Sequence, residues 1–355
     1  MKLKKILITG NMGYVGPVLT SYLRSVYPEI RIYGADLSFF GQCLTGADVL
    51  PEARLDAQYI VDVRNLSDEF LEDMDAVIHL AAISNDPMGN AYEEVTAEIN
   101  YQASVKIAKQ AKDAGVKAFV FASSCSVYGY AEGVARDEGS ELNPLTAYAK
   151  SKINTEKAVK DLADDSFVIT SLRFPTACGM SDRLRLDLVL NDFVASAVAS
   201  KKITILSDGT PWRPLIDVKD MSRAMDWGMQ RASDCGGPFL AINAGRTEWN
   251  YQVKDLAAEV KKIMPEIEIE INADAQPDKR SYRVDFSLYE KLAPDYQPQV
   301  DLGQSIMELK NGLEKFHFSE KNFRDSEYIR LKVLSRLRDS GALSVKLEWT
   351  DRAVK

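Results

Sequence analysis

Tyr148 and Lys152 stand four residues apart in Tyr148-Ala149-Lys150-Ser151-Lys152. On a helix that spacing puts both side chains on one face. A tyrosine with its reference pKa of ~10 is mostly protonated at neutral pH. A lysine ammonium about 4 Å away, at an effective dielectric of ~20, favours the phenolate by up to roughly 4 kcal/mol. That is an upper bound of about three pKa units. A phenol acidified in this way accepts an alcohol proton while hydride leaves the same carbon. Ser124 closes the run Phe121-Ala122-Ser123-Ser124, 24 residues before Tyr148, and is expected to hydrogen-bond the same oxygen. Tyr-x-x-x-Lys alone is commonly a solvated helix face, so its meaning rests on the elements around it.

The hydride needs an acceptor, and the start of the chain offers a place for one. The apolar run Ile6-Leu7-Ile8 leads into Thr9-Gly10-Asn11-Met12-Gly13-Tyr14-Val15-Gly16 and then a helical pattern. Glycines let backbone approach a phosphate, and a helix N-terminus adds free N–H groups and a positive dipole. The spacing is G-x-x-G-x-x-G rather than G-x-G-x-x-G; its place between a first strand and a first helix gives it weight. Asp36 follows the second apolar run, Arg31–Ala35. An acidic residue there accepts from the ribose hydroxyls of NAD and repels the 2′-phosphate of NADP. No basic residue lies in Asn11-Met12 or Leu37-Ser38, so NAD is the expected cofactor and NADP the less favoured one. The plainer role for Asp36 is to cap a turn. Asp62, after the third run, either meets the adenine amino group or caps its own turn.

Short apolar runs alternate with helical patterns through the first half. Lys4–Thr9, Arg31–Ala35, Tyr59-Ile60-Val61, Ala76–Leu80, Ala118–Ala122 and Phe167–Arg173 read as strands; Val15–Val26, Glu98–Ala114 and Ala147–Leu162 read as helices. This alternation predicts an α/β fold, a doubly wound parallel sheet covered on both faces. After Gly179 the rhythm breaks. Strands Pro214–Val218 and Phe239–Asn243, flanking the helix Asp220–Gln230, are expected to return to the first sheet. Further helices (Leu186–Ala199, Tyr251–Met264) and strands (Ile203–Leu206, Glu266–Ile271) predict a smaller interleaved α+β substrate lobe. The expected division is residues 1–180 with a return segment about 214–245, a lobe of 181–213 and 246–315, and a helical extension 316–355, with a helix over Ser326–Asp339.

The 355 residues are 46% hydrophobic and 27% charged, ordinary for a globular protein. Lys and Arg total 44 against 52 Asp and Glu, net charge −8. An acidic chain with no basic run is a poor match to nucleic acid or an anionic membrane. Four scattered cysteines without C-x-x-C and two histidines speak against a metal site and suit a reducing compartment. The apolar run after Met1-Lys2-Leu3-Lys4-Lys5 ends at Thr9-Gly10, too short for a signal-peptide core. The expected location is the cytoplasm.

Taken together, Thr9–Gly16, His79-Leu80-Ala81-Ala82, Asn100, Ser123–Gly129, Tyr148/Lys152 and Arg173–Gly179 resemble the pattern of the NAD-dependent epimerase/dehydratase family. These are extended short-chain dehydrogenase/reductases that act mostly on nucleotide sugars. The match covers roughly residues 4–310. It implies a Rossmann-like sheet, with Gly10, Asn11, Met12, Gly13, Tyr14, Val15, Gly16, Asp36, Leu37, Asp62 and Val63 on the cofactor. It also implies that Leu80, Ala81 and Ala82 line the cofactor, that Asn100 orders the site, that Pro175 lies near the nicotinamide and that His79 is structural. Ser207–Pro214 resembles the diphosphate-binding segment of the family's nucleotide-sugar lobe, with Arg213 as clamp, and Asp278–Asp285 a later segment with Arg280 as the second arginine. The alternative for both arginines is an ordinary surface ion pair. Ser126, Thr176 and Asn191 complete the implied substrate contacts, and a nucleotide-diphosphate sugar is the implied ligand. A homodimer through the helices Glu98–Ala114 and Ala147–Leu162 is implied as well.

Family 4,6-dehydratases carry an acidic pair just after the catalytic serine or threonine; here those positions hold Cys125 and Ser126. What remains is chemistry that needs only Tyr, Lys, Ser and NAD. The leading expectation is nucleotide-sugar epimerisation, at C4, through transient oxidation of a hydroxyl to a ketone. The alternatives are an NAD(P)-dependent ketoreductase or dehydrogenase and, more remotely, a non-catalytic NAD-bound regulator. Thr176 stands where many epimerases have asparagine, and the loop Ser84–Gly89 is unlike theirs.

Overall fold

The computed structural model describes residues 3–131, 133–272, 275 and 281–351. Its strands are β1 (Lys5–Thr9), β2 (Arg31–Asp36), β3 (Ala57–Ile60), β4 (Ala76–His79), β5 (Ala118–Ser124), β6 (Val168–Phe174), β7 (Thr176–Cys178), β8 (Lys202–Ile205), β9 (Trp212–Asp217), β10 (Phe239–Asn243), β11 (Asn250–Gln252) and β12 (Glu268–Ile271). Seven of them form one sheet in the order β3-β2-β1-β4-β5-β6-β10. Every pairing in it is parallel.

The apolar runs explain that sheet. Every residue of β4 and β6 is buried, as a strand covered on both faces requires. Ile6 and Ile8 pack on one side with Leu19 and Leu23 of the helix Gly16–Val26 and Met221 and Met225 of the helix Val218–Gln230. Leu7, between them, points the other way, into a core with Ile107 of the helix Ser104–Asp113 and Val159 of the helix Ala147–Lys160. Strand order reverses between β1 and β4, and a ligand crevice opens outside the carboxyl ends of the strands at such a point. Register pairs Thr9 with His79 there, so the glycine loop and the segment after His79 leave the sheet side by side.

A second core gathers Leu190 and Val194 from the helix Val189–Ser200, Leu256 and Val260 from Val253–Ile263, and Leu309 and Leu313 from Leu302–Lys315. Two small sheets edge it, β11-β9-β7 and β12-β8. Here one expectation needs correcting. Phe239–Asn243 joins the main sheet beside β6, but Trp212–Asp217 pairs with β7 and β11 instead. Pro175 separates β6 from β7; with no N–H and a fixed φ it ends the ladder, and β9 follows β7 away from the main sheet. The tail helix, Arg330–Asp339, starts four residues later than expected. Among the described residues no helix is long and apolar enough to cross a membrane, and no His/Cys/Asp/Glu group is placed to hold a metal ion.

Candidate active site

Thr146 caps the helix Ala147–Lys160: its Oγ1 accepts from the Ala149 N–H at 3.1 Å and donates to Asp86 Oδ1 at 2.6 Å. Tyr148 and Lys152 lie one turn apart on the face of this helix turned to the end of β5. Ser124, the last residue of β5, stands beside the Tyr148 phenol at the same cavity wall. The lysine does something other than the spacing suggested. Its Nζ donates to the Ala122 carbonyl at 2.7 Å and sits 5.5 Å from the centre of the Tyr148 ring. Burial pushes the Tyr148 phenol up to about 12, and the Ser124 hydroxyl beside it works in the opposite direction. Burial also pulls Lys152 down to about 7, against the attraction of Glu156. The expected acidification of the phenol by a nearby ammonium is thus outweighed by desolvation in this arrangement.

Sequence reasoning missed what stands beneath this pair. Glu156 continues the same face and is held by Arg173 through Nη2–Oε2 at 2.7 Å and two Nε contacts. Both residues are buried, and the hydroxyls of Ser123 and Ser171 also donate to Glu156 Oε1. Arg173 goes on to Tyr128, whose hydroxyl donates to Asn243 Oδ1. A Glu eight residues after a Tyr in a helix was the only available signal.

Asn100 lies in Ala97–Ala103, a π-helical stretch, a local widening often found at functional sites. Its amide is spent on backbone: Oδ1 accepts from the Ile83 N–H at 2.7 Å, and Nδ2 donates to the Ile83 carbonyl and to Ser151. It therefore fixes the Leu80–Ile83 loop and ties it to the Tyr148 helix. His79 is structural. Its nitrogens meet Thr9 and Ser104 hydroxyls, each at 2.7 Å, and burial pulls its pKa down to about 3, keeping it neutral.

Gly10, Gly13, Tyr14, Val15, Asp36, Leu37, Asp62, Val63 and Leu80–Ala82 line one cavity of about 140 Å³. Gly10 has φ of +74°, and a Cβ on it would fall 2.5 Å from the Ala81 nitrogen, so the two loops touch through glycine alone. Asn11, Met12 and Gly16 shape the loop from behind. Asn11 bonds Gln58, the Met12 N–H donates to Asp36 Oδ2, and a Cβ on Gly16 would lie 1.8 Å from the Asn11 carbonyl. Asp36 also accepts from the Ser38 N–H, and Asp62 caps the turn after it while paired to Arg64 at 2.6 Å. Bare glycine backbone at the switch point, a carboxylate at the end of β2 and apolar walls fit a dinucleotide.

A larger cavity of about 760 Å³ shares Tyr14, Val15, Leu80, Ala82, Ser84 and Arg185 with the first. Ser124, Ser126, Tyr148, Lys152, Pro175, Thr176 and Arg213 all face it. The Ser126 hydroxyl is buried there with no hydrogen-bond partner. Asn191 does not line it; its amide bonds the backbone of Gly179 and Arg185. Arg280 lies outside the described residues. Cys125 is fully buried, and burial pushes its thiol well up, so it offers neither acid nor base. Arg185, held at 2.9 Å by Asp187, and Tyr282 also line this cavity, and no motif marks either residue.

The family model described as NAD dependent epimerase/dehydratase family matches residues 6–245. An uncharacterized UDP-glucose epimerase of Bacillus subtilis (strain 168) is 30% identical over 227 residues, 61% of this chain and 69% of that one. A UDP-glucose 4-epimerase of Neisseria meningitidis serogroup A is 26% identical over 334 residues, 86% of this chain and 95% of its own. The solved UDP-glucose-4-epimerase of Stenotrophomonas maltophila, with bound NAD and formylated UDP-arabinopyranose, shares the fold at a TM-score of 0.75 and 19% identity, over 89% of this chain and 99% of that one. The chain belongs to the NAD dependent epimerase/dehydratase family and is an enzyme of the extended short-chain dehydrogenase/reductase type.

Proposed function

We propose that this enzyme epimerises a nucleotide-diphosphate sugar, at C4, with NAD held in the smaller cavity. One observation carries the reading: Tyr148 and Ser124 together line a cavity of about 760 Å³ that shares a wall with the glycine-loop cavity. The names of the relatives support the nucleotide sugar and the reaction class. The Asp36 carboxylate at the end of β2 supports NAD over NADP.

When bound, NAD accepts a hydride from the sugar carbon and returns it. The chain does the rest. As a phenolate, which the positive charge of an oxidised nicotinamide would favour against the burial that raises its pKa, Tyr148 takes the hydroxyl proton and gives it back, and Ser124 holds the same oxygen in line. Lys152, its Nζ anchored on the Ala122 carbonyl and 5.5 Å from the centre of the Tyr148 ring, would favour the phenolate when protonated. The unpartnered Ser126 hydroxyl is free to bind a sugar hydroxyl. Arg213, which lines the larger cavity, faces the substrate diphosphate. A homodimer belongs to the same proposal, and sedimentation velocity decides it.

The test is purification followed by incubation with UDP-, GDP-, CDP- and dTDP-sugars. NAD should stay with the protein through gel filtration, and NMR should find a C4 epimer with no net change in nicotinamide absorbance. Stoichiometric consumption of added NADH by a keto-sugar would reassign the enzyme as a ketoreductase.

A further inference from the structure

Arg330 from the tail meets Arg183 and Arg185 from one distant segment beside the glycine-loop cavity, and all three are buried. Arg183 is neutralised by Glu52 at 2.7 Å and Arg185 by Asp187 at 2.9 Å. Among the described residues, Arg330 has no carboxylate partner. It is 1% exposed. Its terminal nitrogens donate to the carbonyls of Glu327, Arg183 and Leu184, its guanidinium lies 5.0 Å from the centre of the Phe40 ring, and its buried Nε has no partner. It lines the cavity with Gly10, Gly13 and Asp36. Burying an uncompensated cation is costly, and such sites persist where an anion completes them.

Its position is fixed from the far end of the tail. Trp349 Nε1 donates to the Leu37 carbonyl at 2.7 Å, Arg64 donates to the Lys346 carbonyl at 2.8 Å, and Leu347 is fully buried. The tail therefore crosses the adenosine side of the cavity, with the Arg330–Asp339 helix anchored at both ends.

We propose that the C-terminal extension is part of the cofactor site and that Arg330 binds the dinucleotide's pyrophosphate, supplying the positive charge that the Thr9–Gly16 loop lacks. This rests on the dinucleotide reading above. A planar guanidinium with an unspent N–H matches a diphosphate oxygen.

The test is calorimetric titration of the full-length protein with NAD, ADP, adenosine and adenosine 2′,5′-bisphosphate. Arg330→Gln should weaken ADP and NAD by about tenfold or more, the scale of a charge-assisted hydrogen bond, and leave adenosine unchanged. Arg330→Met, apolar and of similar length, gives the same readout if the glutamine variant does not fold. Unchanged ADP affinity overturns the proposal. Equal losses for ADP and adenosine overturn it too, by marking a structural role, and so does a loss confined to the 2′,5′-bisphosphate. Wild-type protein that binds neither NAD nor ADP would instead sink the dinucleotide reading itself.

Discussion

Glu156 and Arg173 form a buried ion pair directly under the helix face that carries Tyr148 and Lys152, with Nη2 and Oε2 2.7 Å apart. Two serine hydroxyls and the Tyr128 phenol satisfy what the pair leaves over. The glutamate opposes the burial of Lys152 and fixes the strand ends β5 and β6 against the helix. It therefore acts on the chemistry through position and charge without facing the cavity.

Breaking one partner leaves an uncompensated charge in a dry site. Glu156→Gln should cost about 3–5 kcal/mol of stability, whereas replacing both with apolar residues, Glu156→Leu with Arg173→Met, should recover most of that loss. Urea unfolding of wild type and the two variants measures it. A single variant as stable as wild type would mean that water reaches the pair.

Tyr148→Phe removes the proton carrier and little else, since the ring still packs. Turnover should fall by about 10²–10⁴-fold, the usual worth of a positioned acid–base, with NAD still retained on gel filtration. Near-wild-type turnover would remove the phenol from the mechanism.

Local spacing made half of this site readable. The Tyr148–Lys152 face lies within one helix, the Thr9–Gly16 loop between a strand and a helix, and Asp36 at a strand end, so local pattern and order along the chain were enough. Arg185 and Tyr282 were invisible because loops from the second lobe deliver them. Arg330 and Trp349 lie farther still; the Trp349 bond to Leu37 spans 312 residues. The state of the phenol was misjudged for another reason. Spacing reports distance along a helix, while the desolvation that dominates here depends on everything packed around it. The placing of β9 failed similarly, because its partner β7 is set by one proline.

His79 gives a pH signature. Its folded pKa, about 3, lies below the usual ~6.5, so the unfolded chain binds the extra proton between these values. Its contribution to stability is full above about pH 6.5 and is lost as the pH falls. Asp217, pushed up to about 6 by burial, works in the opposite sense over part of the same window. The comparison is therefore with His79→Gln, which keeps a donor and an acceptor for Thr9 and Ser104. Between pH 7 and 5, wild type should lose about 2 kcal/mol more than the variant. Equal losses in denaturant titrations would refute a neutral buried imidazole.

Gly13 and Gly16 should separate cofactor binding from folding. A Cβ on Gly16 would meet the Asn11 carbonyl at 1.8 Å, so Gly16→Ala must move backbone. Overpacking of that kind costs about 1–3 kcal/mol, and NAD affinity should fall with it. A Cβ on Gly13 meets only the Gly10 carbonyl, at 3.3 Å, and Gly13 lines the cavity. Gly13→Ala should leave the melting temperature nearly unchanged yet weaken NAD, because the methyl group stands where phosphate oxygens must approach the backbone. Melting and NAD titration of both variants check the pair. If Gly13→Ala binds NAD normally, the phosphates do not lie over that turn, and the proposed contact of Arg330 with them would have to be placed elsewhere along the cavity.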